Sequence, residues 1–394
     1  RQMCIRDSGG PAAAREAPAG RHYHEGMHNT EFVVDLEAIA HNLDTVRRRG
    51  GGRACIAAVK ANAYGHGAVP VARRLEPLVE GFGVATVGEA LELRAAGITC
   101  MVLKLSPANV DELPAAVGAD VSLVVGAPEQ VPQIAAAARA SGTTARVHLK
   151  IDTGMHRVGV APEQAADVAR AIVDEEALRL EGVMTHFAVA DVEEGDAFTA
   201  LQRARFVRAV AAVRAVSDVR WVHSGNSAGI LNHDLGDDTA IRPGIALYGS
   251  APERNLDEPG LLRPCARWTT RVTGVRRIAE GEGISYGLTW HAPRDTTVAT
   301  LAVGYGDGYS RLLSNRGRVL IGGRAHAVVG RVCMDQTLVD LGDRDDVRPG
   351  DEVVLLGASG DERITPQELA DCMGTIPYEV TCLVTGRVPR RHVG

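Results

Sequence analysis

At 394 residues, 45% apolar and 23% charged, the chain reads as a soluble globular protein with room for a large α/β domain and a smaller partner. Its net charge of −6 excludes a bulk electrostatic case for nucleic acid, and no run of about 18 apolar residues offers a bilayer span. Cys4, Cys55, Cys100, Cys265, Cys333, Cys372 and Cys382 are scattered, odd in number and form no C-x-x-C pair, so neither a disulfide framework nor a zinc site is indicated and a reducing cytosol is the expected compartment.

Residues 1–27 are rich in Ala, Gly, Pro and Arg and lack an apolar core segment. They read as a disordered tail or a spurious N-terminus rather than a secretory signal, with Met27 as the expected start. His22, His24, His28 and His66 form no metal-ligand pattern, and no metal is expected.

From about residue 30 to 250, apolar runs alternate with amphipathic stretches. Strands are expected at 54–59, 83–85, 100–105, 120–125, 145–151, 181–185, 221–223 and 240–247. Helices are expected at 36–49, 69–75, 88–96, 128–140, 162–174 and 197–216. Strands that alternate with helices predict a parallel sheet. This many units in so short a span predict a (β/α)8 barrel over residues 28–250, with an open doubly wound sheet as the alternative. No G-x-G-x-x-G follows the first strand, which argues against a dinucleotide site. Beyond residue 250 the rhythm turns strand-like, at 268–278, 297–303, 318–321, 325–332, 337–340 and 352–356. One late helix signal runs over 365–373, with Thr365 as N-cap and Pro366 at its first position. Residues 251–394 therefore read as a mostly β domain.

Of the 43 basic residues only three are lysines: Lys60, Lys104 and Lys150. Where a positive charge suffices, this chain uses Arg. A retained Lys therefore carries more information than usual, because guanidinium stays protonated and cannot attack a carbonyl; chance retention is the alternative. Lys60 follows an apolar strand, where desolvation lowers an amine's pKa and suits Schiff-base chemistry; a lysine snorkelling from a strand end is the structural alternative. In a barrel, the C-terminal strand ends line the site. Four of these ends are unusually polar, at residues 59–67, 150–157, 223–227 and 241–249. Gly225-Asn226-Ser227 and Arg242-Pro243-Gly244-Ile245 combine small residues, backbone donors and a hydroxyl, a composition that suits either a phosphate cradle or an ordinary turn.

The segment Ala57-Ala58-Val59-Lys60-Ala61-Asn62-Ala63-Tyr64-Gly65-His66-Gly67 resembles the cofactor-lysine signature of the alanine racemase family. So do Ile284-Ser285-Tyr286-Gly287, Gly304-Tyr305-Gly306-Asp307-Gly308-Tyr309, Gly330-Arg331-Val332-Cys333-Met334-Asp335-Gln336 and Pro377-Tyr378-Glu379, in the expected order. The resemblance covers the chain from about residue 30. It implies a barrel that binds pyridoxal 5'-phosphate, a β domain, and interconversion of L- and D-alanine to supply bacterial cell-wall peptidoglycan.

Carried over residue by residue, the resemblance makes Lys60 the Schiff-base lysine and one proton-transfer group, with Tyr286 as the other. It assigns Tyr64, Ser227, Gly244, Ile245 and Tyr378 to the cofactor phosphate, Arg242 to the pyridine nitrogen, and Asn226 and His186 to cofactor binding. Arg157 and His186 become neighbours of the Tyr286 phenol. Arg157 and the backbone at Met334 become contacts of the substrate carboxylate, with Asp335 in the same segment. Lys150 falls where many members carry a carbamylated lysine. The Tyr286 and Met334 regions reach into the partner's site in this family, so a cytoplasmic homodimer is implied. Other readings are a serine or broad-specificity racemase, a related barrel decarboxylase, and a non-enzymatic cofactor carrier. The decarboxylase's C-terminal cysteine motif is missing, and a carrier has no β domain to bring Tyr286. Lys104 has no assigned chemistry and reads as structural or incidental.

Overall fold

The computed structural model describes residues 29–394, apart from 256, 257 and 259. The expected tail, with Cys4, His22, His24, Met27 and His28, lies outside the described residues. The chain enters through strand β1 (Glu31–Asp35) and helix α1 (Leu36–Arg49). Strand–helix units follow: β2 (Ala54–Ala58), the short turn α2 (Lys60–Tyr64) and α3 (Ala68–Leu75); β3 (Gly81–Val84) and α4 (Val87–Ala95); β4 (Met101–Lys104) and α5 (Leu113–Gly118). Next come β5 (Leu123–Val125) and α6 (Gln130–Ala140), β6 (Ala145–Lys150) and α7 (Ala165–Val173), and β7 (Leu178–Met184) and α8 (Asp196–Arg214). The series ends with β8 (Trp221–His223), α9 (Ser227–Asn232) and β9 (Ala240–Ile241).

Strands β2 to β9 form the (β/α)8 barrel that the alternation predicts. They pair in parallel as β9-β2-β3-β4 and β5-β6-β7-β8. A parallel bridge between Leu103 and Ser122 joins β4 to β5, and the Thr239 N–H donates to the Val222 carbonyl at 2.8 Å to join β8 to β9. Alternation along each strand sends one set of side chains inward and the other toward the helices. Ile56, Leu103, Val124, Met184, Trp221 and Ala240 make a separate cluster that fills the lumen, while Cys55, Ala57, Val102, Val147 and Val183 join the larger core under the helices.

The second half comprises β10 (Ala266–Ile278), β11 (Gly283–Ile284), β12 (Trp290–His291), β13 (Thr296–Leu301), β14 (Arg318–Ile321), β15 (Arg324–Ala327), β16 (Thr337–Gly342), β17 (Glu352–Ser359) and β18 (Glu362–Ile364). Helices α10 (Pro366–Met373) and α11 (Pro377–Cys382) precede the last strand, β19 (Arg390–Val393). One sheet runs β15-β14-β17-β10-β1-β19. The chain's first strand therefore lies in the second half's sheet, antiparallel to β10 with Phe32 opposite Trp268, and parallel to β19. From this sheet, Arg390 Nε donates to the Gly65 carbonyl at 2.8 Å and His392 Nε2 to the His66 carbonyl at 2.8 Å. Both bonds grip the loop just after Lys60.

Several local expectations change. The run at 240–247 yields only two strand residues, because Pro243 has no N–H for a ladder and Gly244, at φ −126° and ψ −96°, leaves the extended region. The strand expected to reach 332 stops at Ala327, short of Gly330 with its φ of 73°. Helix α10 starts as expected, with Thr365 Oγ1 accepting from the Glu368 N–H at 3.1 Å. Helix α11 was not expected; it has six residues, too few to show a periodicity. Among the described residues no helix is long and apolar enough to cross a membrane.

Candidate active site

The C-terminal strand ends of the barrel open onto a cavity of about 330 Å³. Lys60, Tyr64, Lys150, Arg157, His186, Asn226, Ser227, Arg242, Gly244, Ile245 and Tyr378 all line it, with Leu105, Met184 and Cys382 between them. Four of these side chains, Lys60, Lys150, Arg157 and Arg242, are cationic, and the lining holds no carboxylate among the described residues. A larger cavity of about 590 Å³ lies between the two halves of the chain, around Tyr248, Leu262, Cys265 and Leu356, and takes in none of the expected site residues.

Lys60 stands where β2 ends, at the start of a left-handed turn. Ala61, Asn62 and Ala63 have φ of 53° and Tyr64 has 54°. A left-handed residue with a Cβ costs roughly 1–2 kcal/mol and Asn less, so Ala61, Ala63 and Tyr64 together cost about 3–6 kcal/mol that fixed partners must offset. Asn62 Oδ1 accepts from the Ala68 N–H at 2.8 Å, and His66 Nδ1 lies 3.0 Å from the carbonyls of both Ala63 and Tyr64. Two carbonyl partners require that nitrogen to carry the proton. Burial lowers the pKa of the Lys60 amine, and the nearby Arg157 guanidinium lowers it further. Lys150, at the end of β6, is pushed down to about 8 by burial and then by Arg242, Arg157 and Lys60. Its Nζ donates to the Leu105 carbonyl at 3.4 Å.

Arg242 follows β9 and is 5% exposed. Its Nη1 donates to His223 Nδ1 at 2.8 Å and to the His223 carbonyl at 2.7 Å; its Nη2 donates to the carbonyls of Thr185 at 2.6 Å and Ser224 at 3.1 Å, and approaches His186 Nδ1 at 3.4 Å. Guanidinium can only donate, so His223 Nδ1 accepts and its proton sits on Nε2. That proton points at His148 Nδ1, 2.9 Å away. Burial, then Arg242, holds both imidazoles below their ordinary pKa, that of His148 at about 3. Burial also lowers Arg242, to about 10, which leaves it charged at neutral pH.

The far wall is built of hydroxyls and close backbone. Ser227 Oγ accepts from the N–H groups of Gly244 at 2.9 Å and Ala246 at 3.3 Å, which leaves its own hydrogen to donate. Asn226 Oδ1 caps α9 by accepting from the Gly229 N–H at 2.9 Å. A Cβ on Gly244 would lie 2.4 Å from the Tyr64 hydroxyl, so only glycine lets that phenol stand there. The Tyr64 ring stacks on Tyr248 at 4.9 Å, and Tyr248 stacks on His66 at 4.7 Å. Burial raises the pKa of both Tyr64 and Tyr378, the latter to about 12, so both phenols remain donors. These residues fit pyridoxal 5'-phosphate: an amine for its aldehyde, hydroxyl donors for its phosphate, and a guanidinium for its ring nitrogen.

Three expected residues lie elsewhere. Tyr286 follows β11 and is 73% exposed, and Met334 is 53% exposed. Asp335 pairs with Arg387 at 2.8 Å. None of the three lines the cavity of its own chain.

Residues 34–252 match the family model described as alanine racemase, N-terminal domain, and residues 265–392 match the C-terminal domain model. The chain belongs to the alanine racemase family. The alanine racemase of Cutibacterium acnes is 44% identical over 365 residues, which is 92% of this chain and 97% of that one. Among solved structures, the alanine racemase of D-cycloserine-producing Streptomyces lavendulae superposes with a TM-score of 0.88 at 36% identity, covering 94% of this chain and 98% of that one. The alanine racemase of Bacillus anthracis with bound L-Ala-P gives 0.87 at 35% identity, covering 94% and 96%.

Sequence reasoning missed His148 and Glu89 and gave His223 and Tyr248, inside the polar strand ends, no role of their own; His223, Tyr248 and Glu89 brace Arg242, Tyr64 and Ala61 of the cavity lining, and His148 backs His223. His148 was legible, since strand alternation puts it on the same face as Lys150. Glu89 was legible as the last residue of Thr86-x-x-Glu89, a capping-box pattern. Lys104 proves structural: its Nζ donates to the carbonyls of Pro107 at 2.7 Å and Ser106 at 3.1 Å, which ties down the loop after β4.

Proposed function

We propose that the protein interconverts L- and D-alanine, using pyridoxal 5'-phosphate carried on Lys60. The observation that carries this reading is the cavity itself. A lysine whose charge is disfavoured sits among Lys150, Arg157 and Arg242, with no lining carboxylate to neutralise them. Such a site suits a phosphate and a substrate carboxylate together. Bound there, the cofactor supplies the electron-accepting ring that acidifies the substrate's α-proton.

Inversion removes a proton from one face of the α-carbon and returns one to the other, so each face needs its own proton-transfer group. Lys60 Nζ serves one face. The Tyr286 phenol serves the other and comes from a second copy of the chain, which suits its exposure and its absence from its own cavity. Leu288, Tyr305, Leu312 and Ile376 are likewise exposed on the described surface, and a homodimer would cover such apolar side chains. Tyr64, Asn226, Ser227, Gly244, Ile245 and Tyr378 hold the phosphate, and Arg242 donates to the ring nitrogen. Arg157 and the Met334 backbone hold the substrate carboxylate. His186 flanks the incoming phenol, while Lys150 and Asp335 support the site. The D-alanine formed supplies cell-wall peptidoglycan, and the unpaired cysteines suit a cytoplasmic enzyme.

The purified protein should be yellow, borohydride should fix the cofactor to Lys60, and alanine of either hand should racemise. A colourless protein that takes up no cofactor overturns the reading. Tyr286→Phe should keep the cofactor and lose most turnover; a cofactor carrier would be indifferent to it.

A further inference from the structure

The left-handed turn that carries Lys60 needs something to hold its first peptide. The Ala61 N–H, one residue beyond Lys60, donates to Glu89 Oε1 at 2.7 Å. The other carboxylate oxygen, Oε2, accepts from the N–H groups of Ala85 at 2.7 Å and Thr86 at 3.1 Å. Thr86 Oγ1 in turn accepts from the Glu89 N–H at 3.1 Å, which completes a capping box at the start of α4. One carboxylate thus joins the β3–α4 connection to the turn after β2. A capping box alone needs only one of its oxygens.

We propose that Glu89 is a positioning residue for Lys60, holding the left-handed turn so that the amine points into the cavity. Glu89 does not itself line the cavity, so it acts through the Ala61 peptide. The choice of a carboxylate follows from the number of acceptors. A capping box tolerates Gln as well as Glu, because one acceptor oxygen suffices. Here the two backbone segments are held by different carboxylate oxygens, and Gln has only one acceptor oxygen. In Glu89→Gln an amide N–H would confront a backbone N–H on one side of the bridge. The negative charge of Glu89 also counters the influence of burial and Arg157 on the Lys60 amine.

The proposal rests on Lys60 being the cofactor's anchor, and borohydride labelling of the native chain tests that reading separately. The discriminating experiment compares Glu89→Gln and Glu89→Ala in the full chain. The dissociation constant of pyridoxal 5'-phosphate is measured by equilibrium dialysis, and the melting temperature is measured without cofactor. Glu89→Gln should keep a melting temperature close to that of the native chain, since the helix cap survives, yet bind the cofactor about tenfold or more weakly, a loss of about 1.4 kcal/mol or more. Glu89→Ala should lose both stability and cofactor affinity. Native cofactor affinity in Glu89→Gln overturns the proposal. So does a melting temperature that falls as far in Glu89→Gln as in Glu89→Ala, because the residue would then be structural only.

Discussion

The Arg242 guanidinium donates to Nδ1 of His223 at 2.8 Å, and that one bond dictates the protonation of a chain of groups under the cavity. His223 must accept, so it donates onward to His148, and both rings stay neutral beside a permanent cation. A ring nitrogen facing Arg242 therefore meets a group that can donate a hydrogen bond but has no proton to transfer at neutral pH.

An acid at this position would behave differently, because it would keep the cofactor nitrogen protonated and make the ring a stronger electron sink. Arg242→Glu should raise transamination relative to racemisation. The rate of cofactor conversion to its amine form, followed by absorbance during turnover with alanine, checks this. An unchanged ratio sinks the idea.

The neutral histidines also predict acid sensitivity. Burial pushes His66 down to about 4 and His148 to about 3 from an ordinary 6.5. Above pH about 6.5 neither the folded nor the unfolded chain protonates these rings, and their full contribution to stability is present. Below it, the unfolded chain binds protons that the folded chain refuses, so stability falls until the pH reaches the folded values. His66 alone contributes on the order of 3 kcal/mol across that window. Denaturant titrations from pH 7 to 4 should show the midpoint falling steadily; a flat profile contradicts neutral, buried rings.

If Tyr286 acts on a second copy's site, two dead variants should rescue each other. Mixing Lys60→Ala with Tyr286→Phe and letting subunits exchange gives hybrid dimers in which one site carries both lesions and the other carries neither. Random pairing should restore about a quarter of native activity. If each site is built within one chain, mixing restores nothing.

Lys150, pushed down to about 8, presents an appreciable fraction of free amine at neutral pH, in a site crowded with cations. Free amine can add carbon dioxide, forming an N–C bond and releasing a proton to water, which turns a cation into an anion beside Arg157. Native mass spectrometry in bicarbonate buffer should find a form heavier by one carbon dioxide, absent in Lys150→Ala. Lys150→Ala should also raise KM for alanine, with chloride or acetate partly restoring it. Identical masses and KM rule the modification out.

Much of this was legible in one dimension. Alternating apolar runs and helical stretches predicted the barrel, and the scarcity of lysine singled out Lys60 and Lys150, both of which line the cavity. The same argument gave Lys104 no role, and there the reason for an amine is local: a compact ammonium fits between the carbonyls of Ser106 and Pro107. The strand expected at 240–247 failed at Pro243, where a missing N–H outweighs an apolar pattern.

The sequence by itself determined the fold class, the family and the residues that gather at the barrel mouth, because strand periodicity and motif order are properties of one dimension. Only the tertiary structure decided how those residues are held. Glu89 meets Ala61 across 28 positions, His148 meets His223 across 75 and Arg390 meets Gly65 across 325. Such bonds join groups that the closing of the barrel and the pairing of β1 with β19 bring together, and no local pattern encodes a distance between chain segments.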